Sequence, residues 1–272
     1  MSALKTMMRA AAIGSVLIAG GTAWAGPTLE ELTTAAHRDP SNVSRNVYRH
    51  PAETLQFLGI EPDMTVVEIW PGGGGWYMEI LAPYLRDDGT YYAASFDRDT
   101  SSEYLQGAIK KFEAKVAAHP EVYDKVKVTE LSTSKTEIAP PGSADMVLTF
   151  RNVHNWMKGG YADQVFAAMF KALKPGGILG LVEHRGDSSV PQDPSAASGY
   201  VNEDYAVQLA EKAGFELVDK SEINANPKDT KDHPEGVWTL PPVLRMGDQD
   251  RDKYLDVGES DRMTLKFRKP AS

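Results

Sequence analysis

The stretch VVEIWPGGGGWYMEIL, residues 66–81, joins an apolar run to a helical one through four consecutive glycines. Residues 65–70 (TVVEIW) are β-branched and apolar enough to read as a buried strand, and a helix follows through Leu81 and Tyr84. Glycines between them permit positive φ and close approach of the backbone to a ligand. In open α/β sheets, ligands bind beyond the carboxyl ends of the strands, where the strand order reverses. Glu68 then stands where a carboxylate accepts from an ammonium or hydroxyl group. Asp97 ends the next strand pattern, 23 residues after Gly74, about where an acid hydrogen-bonds ribose hydroxyls in such folds. Competing motifs fit badly. A phosphate-cradling loop needs Lys and Ser/Thr after its last glycine, and Trp76 and Tyr77 follow here. A dinucleotide G-x-G-x-x-G counted from Gly72 needs a glycine where Tyr77 stands. The remaining alternative is a plain strand-to-helix turn; the acid at Asp97 favours a cofactor loop.

Further strand patterns lie at 90–97, 125–131, 144–150, 178–184, 216–223 and 262–269. Helical patterns lie at 51–60, 102–119, 162–177 and 202–215, the third stopped by Pro175, Gly176 and Gly177. Such alternation implies an α/β fold with parallel pairing, right-handed crossovers and helices on both faces of the sheet. The last two strands have no helical pattern between them. The final one can therefore return antiparallel, which predicts a seven-stranded, mostly parallel sheet with an antiparallel last strand.

The chain has 272 residues, six His and no Cys. Its first 25 residues read as a secretory signal: Lys5 and Arg9 lead, an apolar run follows from Ala10 to Gly21, and Ala23-Trp24-Ala25 forms an A-x-A cleavage site. That run falls short of the roughly 20 apolar residues needed to span a bilayer. The expected organisation is a signal peptide (1–25) followed by one domain (26–272) with a polar N-terminal arm (26–60) and an inserted polar loop (224–261). An exported, periplasmic address follows from the signal. Loss of Lys5 and Arg9 takes the formal charge from −9 to about −11. That disfavours non-specific binding to nucleic acid and to anionic membrane surfaces. Without Cys there are no disulfides, thiolate metal sites or cysteine nucleophiles.

TFRNVHNWM (149–157) follows the fourth strand and brings Arg151, Asn152 and His154 beside the proposed cofactor loop. Asn152 or His154 can orient an acceptor atom, and His154 can remove its proton. The bland alternative is a His154 ring packed and hydrogen-bonded to backbone. VEHRGD (182–187) adds Glu183, His184 and Arg185; Arg185 either binds an anionic substrate group or pairs with Glu183. His154, His184 and Glu183 raise a metal site, but their spacing matches no metal signature and none is expected. The insertion reads as an ordered loop over the site mouth holding His233 and Trp238, or as a buried loop with Trp238 as a core plug. Within it, Asp248, Asp250, Asp252, Asp256 and Glu259 occupy calcium-loop positions, but Lys253 stands where that loop needs Gly; a solvated acidic loop is favoured.

Four stretches together, VVEIWPGGGGWYMEILAPYL, FRNVHNW, ALKPGG and SEINANPKDTKDHPEGVWTLPP, resemble the exported class I S-adenosylmethionine-dependent methyltransferases. The similarity covers most of the chain after the signal. The first and third stretches are general to the superfamily; the second and fourth belong to this subgroup. The resemblance implies a Rossmann-like class I methyltransferase sheet with S-adenosylmethionine over the first two strand ends. The cofactor-binding set is then Glu68, Pro71, Gly72, Gly73, Gly74 and Asp97. Asn152 and His154 take the catalytic positions, and Arg151, His184 and Arg185 the substrate-binding ones. The chain departs from the superfamily pattern at Trp70, where a glycine is usual, and at TELSTSKT (129–136), which lacks the acid that faces adenine. The expected function is methyl transfer to a small molecule. The alternative is an exported ligand-binding protein on the same fold.

Overall fold

The structure is a computed structural model, and it describes residues 26–271. The expected signal segment, 1–25, lies outside the described residues. Seven strands form one sheet: β1 (Thr65–Ile69), β2 (Thr90–Ser95), β3 (Lys127–Glu130), β4 (Ala144–Phe150), β5 (Leu173–His184), β6 (Glu216–Ser221) and β7 (Arg262–Arg268). Their spatial order is β3-β2-β1-β4-β5-β7-β6. The pairs β1–β2, β1–β4, β2–β3 and β4–β5 are parallel, while β7 runs antiparallel between β5 and β6. The order reverses between β1 and β4, so the crevice expected of an open α/β sheet opens there.

The antiparallel return has a direct consequence. A parallel strand would begin at the far edge of the sheet; β7 begins at the near one. Arg262 pairs with His184, the last residue of β5. Residues 259–262 therefore join the carboxyl ends of β1, β4 and β5, where the crevice lies.

The period of two along β1 divides the core. Val67 and Ile69 enter one apolar cluster with Trp156, Phe166, Leu179 and Phe267. Val66 enters the other with Leu55, Ile80, Phe112 and Leu148. Glu68 alternates with Val67 and Ile69, so it shares the face of Val66.

The polar N-terminal arm is docked. Leu29 and Leu32 are buried, and the guanidinium of Arg38 donates to Glu79 Oε2 at 3.1 Å. Glu79 also accepts from Lys115 Nζ and from the Asp39 backbone N–H. This carboxylate sits on the helix Met78–Tyr84 and ties three segments together.

Several boundaries differ from the sequence expectation. The helix Ala162–Ala172 stops early because β5 begins at Leu173, which pairs with Ala144. Short helices form at Val153–Gly159 and Arg251–Val257, and a 3-10 turn at Gly236–Thr239. The helix at 251–257 occupies the middle of the acidic run, and the Glu259 carboxylate accepts from Arg45 and Arg49. The calcium-loop alternative therefore has neither its loop geometry nor its final carboxylate. No helix among the described residues is long and apolar enough to cross a membrane.

Candidate functional site

At the β1/β4 reversal lies a cavity of about 750 Å³, bounded by Glu68, Trp70, Phe96, Arg151, His154 and Trp238 among others. Trp70 and Arg151 both line it. Trp70 follows the last residue of β1 and donates its backbone N–H to Ala94 O at 2.8 Å, continuing the ladder to β2. Its φ is +48°, a left-handed conformation that glycine takes freely and tryptophan does not. The indole is held on the sheet face by a 3.2 Å hydrogen bond to Leu131 O and by the rings of Phe96, Trp156 and Tyr161.

The glycine bend divides its labour. Pro71 and Gly72 line the cavity, and Gly72 has φ +70°. Gly73 and Gly74, both expected to hold cofactor, are not among the lining residues. A Cβ on Gly73 would stand 3.0 Å from Ala108 O, so that glycine lets the helix Glu103–Ala118 come close.

Glu68 is 3 % exposed and lines the cavity. Tyr91 Oη donates to its Oε2 at 2.5 Å. Burial pushes the carboxyl up to about 8, against the opposing effect of the Tyr91 hydrogen bond, so Glu68 is mostly protonated at neutral pH.

Asp97 differs from the expectation. It does not line the cavity beside Glu68. Its carboxylate accepts from Lys135 Nζ at 2.6 Å, Ser132 Oγ at 2.9 Å and the Asp99 backbone N–H at 2.9 Å. The Lys135 hydrogen bond is the main reason the group is pulled down to about 2. The two acids are thus not brought to one ligand-facing wall; an ammonium and a hydroxyl hold the second away.

Asn152 and His154 do line the cavity. Asn152 Nδ2 donates to Ile69 O at 2.9 Å and Thr149 Oγ1 at 3.3 Å, clamping the end of β4 to the end of β1. Its Oδ1 has no protein partner among the described residues. His154 sits in the first turn of the helix Val153–Gly159, where Glu183 holds it. The fully buried Glu183 carboxylate accepts from the backbone N–H of Val153 (2.6 Å), His154 (3.4 Å) and His184 (2.8 Å), and from His154 Nδ1 (3.1 Å). When the neutral ring donates Nδ1–H to this carboxylate, the lone pair lies on Nε2. The edge of Trp238 lies against this imidazole, with ring centroids 6.0 Å apart.

His184 also lines the cavity; its Nδ1 is 2.5 Å from Ser260 Oγ, and burial first, then the nearby His154, pushes it well below its ordinary value, so it is neutral. One ligand-capable atom from each of His154, Glu183 and His184 lies within 4.8 Å of the others. Glu183 already accepts four hydrogen bonds, which leaves the two imidazoles as the groups with free lone pairs.

Arg185 does not face the cavity. Its guanidinium donates to Glu222 at 2.8 and 2.7 Å and to Asp261 at 2.9 and 3.0 Å. Both contacts raise it above its ordinary value, so it is spoken for, though not by Glu183. Arg151 is different: its guanidinium has no acceptor among the described residues. In the insertion, Trp238 reaches the cavity, whereas His233 pairs with Asp229 at 2.9 Å. Sequence reasoning missed the Glu183–His154 pair and the lining residues Ser102, Tyr104 and Leu105. The helical pattern at 102–119 puts the latter three in its first turn, which was the available signal.

No protein-family model matches the sequence, and no curated protein does. Solved structures do match. A SAM-dependent methyltransferase from Aquifex aeolicus superposes with a TM-score of 0.56 at 15% identity, over 89% of this chain and 96% of that one. The fold is that of the class I methyltransferases. A SAM-dependent methyltransferase from Methanosarcina mazei matches with a TM-score of 0.51 at 14% identity, over 80% of this chain and 98% of its own. SpnF, described as a [4+2]-cyclase, also superposes on this chain, with a TM-score of 0.52 at 15% identity over 82% of this chain and 81% of its own. The fold of this chain therefore does not by itself name a reaction.

Proposed function

We propose that the protein transfers a methyl group from S-adenosylmethionine to a small-molecule acceptor, and that it works as an exported, periplasmic enzyme. One observation carries the reading. A single cavity at the β1/β4 reversal has a left-handed glycine bend and a buried carboxyl on one wall and the Glu183-oriented His154 on another. Three of the expected cofactor residues, Glu68, Pro71 and Gly72, line the cavity and support this reading. Gly72 keeps the backbone bare where the ligand would lie, and Glu68 faces the cavity with a hydrogen-bonding group.

S-adenosylmethionine supplies a methyl group activated by its sulfonium. The chain has to position the acceptor and manage its proton. Asn152 Oδ1 can accept from an acceptor O–H or N–H. His154 Nε2 would take the proton that the acceptor loses. The Trp238 ring packs against this imidazole. Asp97 can serve as the ribose ligand only by exchanging Lys135 for the hydroxyls.

Calorimetry with S-adenosylhomocysteine tests the reading. An ammonium at Glu68 favours the carboxylate, so micromolar binding accompanied by proton release near pH 7 supports it, and Glu68→Gln should bind without that release. No heat with either S-adenosylmethionine or S-adenosylhomocysteine removes it. That second outcome would favour a non-catalytic ligand-binding protein, an alternative supported by the Trp70 indole over the cavity and the tied Asp97 carboxylate.

A further inference from the structure

Four arginines converge behind the Tyr77–Phe150 ring stack, whose centroids are 3.5 Å apart. Arg49 Nε donates to Glu259 Oε2 at 3.0 Å and Arg45 Nε to Oε1 at 2.5 Å; Arg262 Nη2 shares the same carboxylate. Arg262 Nη1 donates to Tyr48 O at 3.1 Å. One carboxylate thus serves three guanidinium groups, and Arg151 has no acceptor at all among the described residues. Nη2 of Arg45, Nη2 of Arg49 and Nε of Arg262 are buried without a partner. Arg49 and Arg262 are only 4 % and 2 % exposed, so solvent does not supply the missing acceptors. Even when the nearby Glu183 is counted, four cations face two anions, and Glu183 is saturated by four donors of its own.

The cluster reaches the cavity through one side chain. A cleft of about 10 Å³, no larger than a water, separates Arg49, Arg151 and Arg262, bounded by Tyr77 and Phe150. Arg151, Tyr77 and Phe150 also line the large cavity. Burial, then neighbouring guanidinium groups, push Arg151 down to about 10 and Arg49 well below its ordinary value; Arg151 still carries its charge at neutral pH. A buried positive excess with one guanidinium facing a cavity is the electrostatic complement of an oxyanion. Position decides whose oxyanion. Arg151 follows β4 and Arg262 opens β7 beside His184, whereas Gly72, Phe96 and Leu105 line the other side of the cavity.

We propose that Arg151, backed by the charge of Arg49 and Arg262, binds a carboxylate or phosphate group of the acceptor and so restricts the acceptor to acidic small molecules. An acceptor anchored there lies beside His154, three residues further along the chain. Naming the ligand as the acceptor rests on the methyl-transfer reading; the anion site itself does not.

The test is thermal unfolding with inorganic phosphate as the probe, ionic strength being held constant with sodium chloride. The wild-type protein should show a saturable rise of a few degrees. Arg151→Met should melt no lower than wild type without phosphate, since it breaks no ion pair and relieves repulsion, and should not respond to phosphate. Arg151→Lys should recover part of the response. No saturable rise in the wild type, or an equal rise in Arg151→Met, overturns the proposal. Saturating S-adenosylhomocysteine provides the second arm: the phosphate response should persist. Competitive loss would assign the site to the cofactor's own carboxylate and overturn the acceptor assignment. Should S-adenosylhomocysteine not bind, the methyl-transfer reading fails while the phosphate arm still decides the anion site.

Discussion

Trp70 and Arg151 each lie one residue past the end of neighbouring parallel strands, and both hold a left-handed backbone, with φ of +48° and +61°. The two turns face each other across the strand-order reversal, and both side chains line the same cavity. A non-glycine residue in this conformation costs roughly 1 kcal/mol. At Trp70 that cost is offset by the indole's hydrogen bond to Leu131 O and its contacts with three aromatic rings.

Replacing Trp70 by glycine separates those two effects. The backbone strain is relieved, but the ring leaves a hole in a packed face. The packing loss should win, with a net destabilisation of about 2 kcal/mol or more in denaturant unfolding. A variant as stable as the wild type would mean that the indole contributes little beyond filling space over the crevice.

Glu68 gives a pH signature of defined sign. The unfolded chain releases this proton in the ordinary carboxylate range, whereas the folded protein keeps it up to about 8. Between those limits the folded state binds more protons, so stability falls as pH rises, at up to roughly 1 kcal/mol per pH unit, and levels off above about 8. Glu68→Gln should flatten this decline in unfolding curves measured from pH 5 to 9. An unchanged slope would mean that Glu68 is ionised in the fold.

The Glu183–His154 pair divides stability from chemistry. Glu183→Gln places an NH2 group against donors that need an acceptor, and should destabilise by about 2–4 kcal/mol. His154→Ala leaves Glu183 its three backbone donors. It should lower kcat for methyl transfer by roughly 100-fold or more while leaving S-adenosylhomocysteine affinity nearly unchanged. A kcat within a few-fold of wild type would limit His154 to packing.

Lys135 is the charged one of three donors that hold Asp97 away from the cavity. The ammonium also pairs with Asp99 and Glu130, but the cluster is near the surface, so Lys135→Met should change stability only modestly at neutral pH. If Asp97 is the ribose ligand, freeing it should tighten S-adenosylhomocysteine binding several-fold in calorimetry. Unchanged affinity would retire Asp97 from the cofactor set.

What the sequence made legible was local. β1, β2 and β4 announce themselves by apolar runs, and the lack of a long helical pattern before 262–269 pointed to the antiparallel β7, although a seven-residue helix, Arg251–Val257, does form there. Gly72 could be read from the bend, because a strand turning directly into a helix needs positive φ there. The partners of the charged side chains could not be read. Asp97 and Lys135, or Arg185 and Asp261, meet only after the sheet is assembled. Arg49 and Glu259 are 210 residues apart and become neighbours because β7 starts beside the end of β5. The helix Val153–Gly159 is too short to show a period, and its first turn is anchored by a carboxylate on another strand.

The reversed direction of β7 also orders the protein's assembly in time. Ser260, which meets His184, and Glu259, the counter-charge for three arginines, immediately precede a strand translated after the other six. Until that segment emerges and slots between β5 and β6, a nascent chain has most of its sheet but lacks the carboxylate that Arg45 and Arg49 share and the Ser260 hydroxyl beside His184, so ligand competence should appear only with the closing strand.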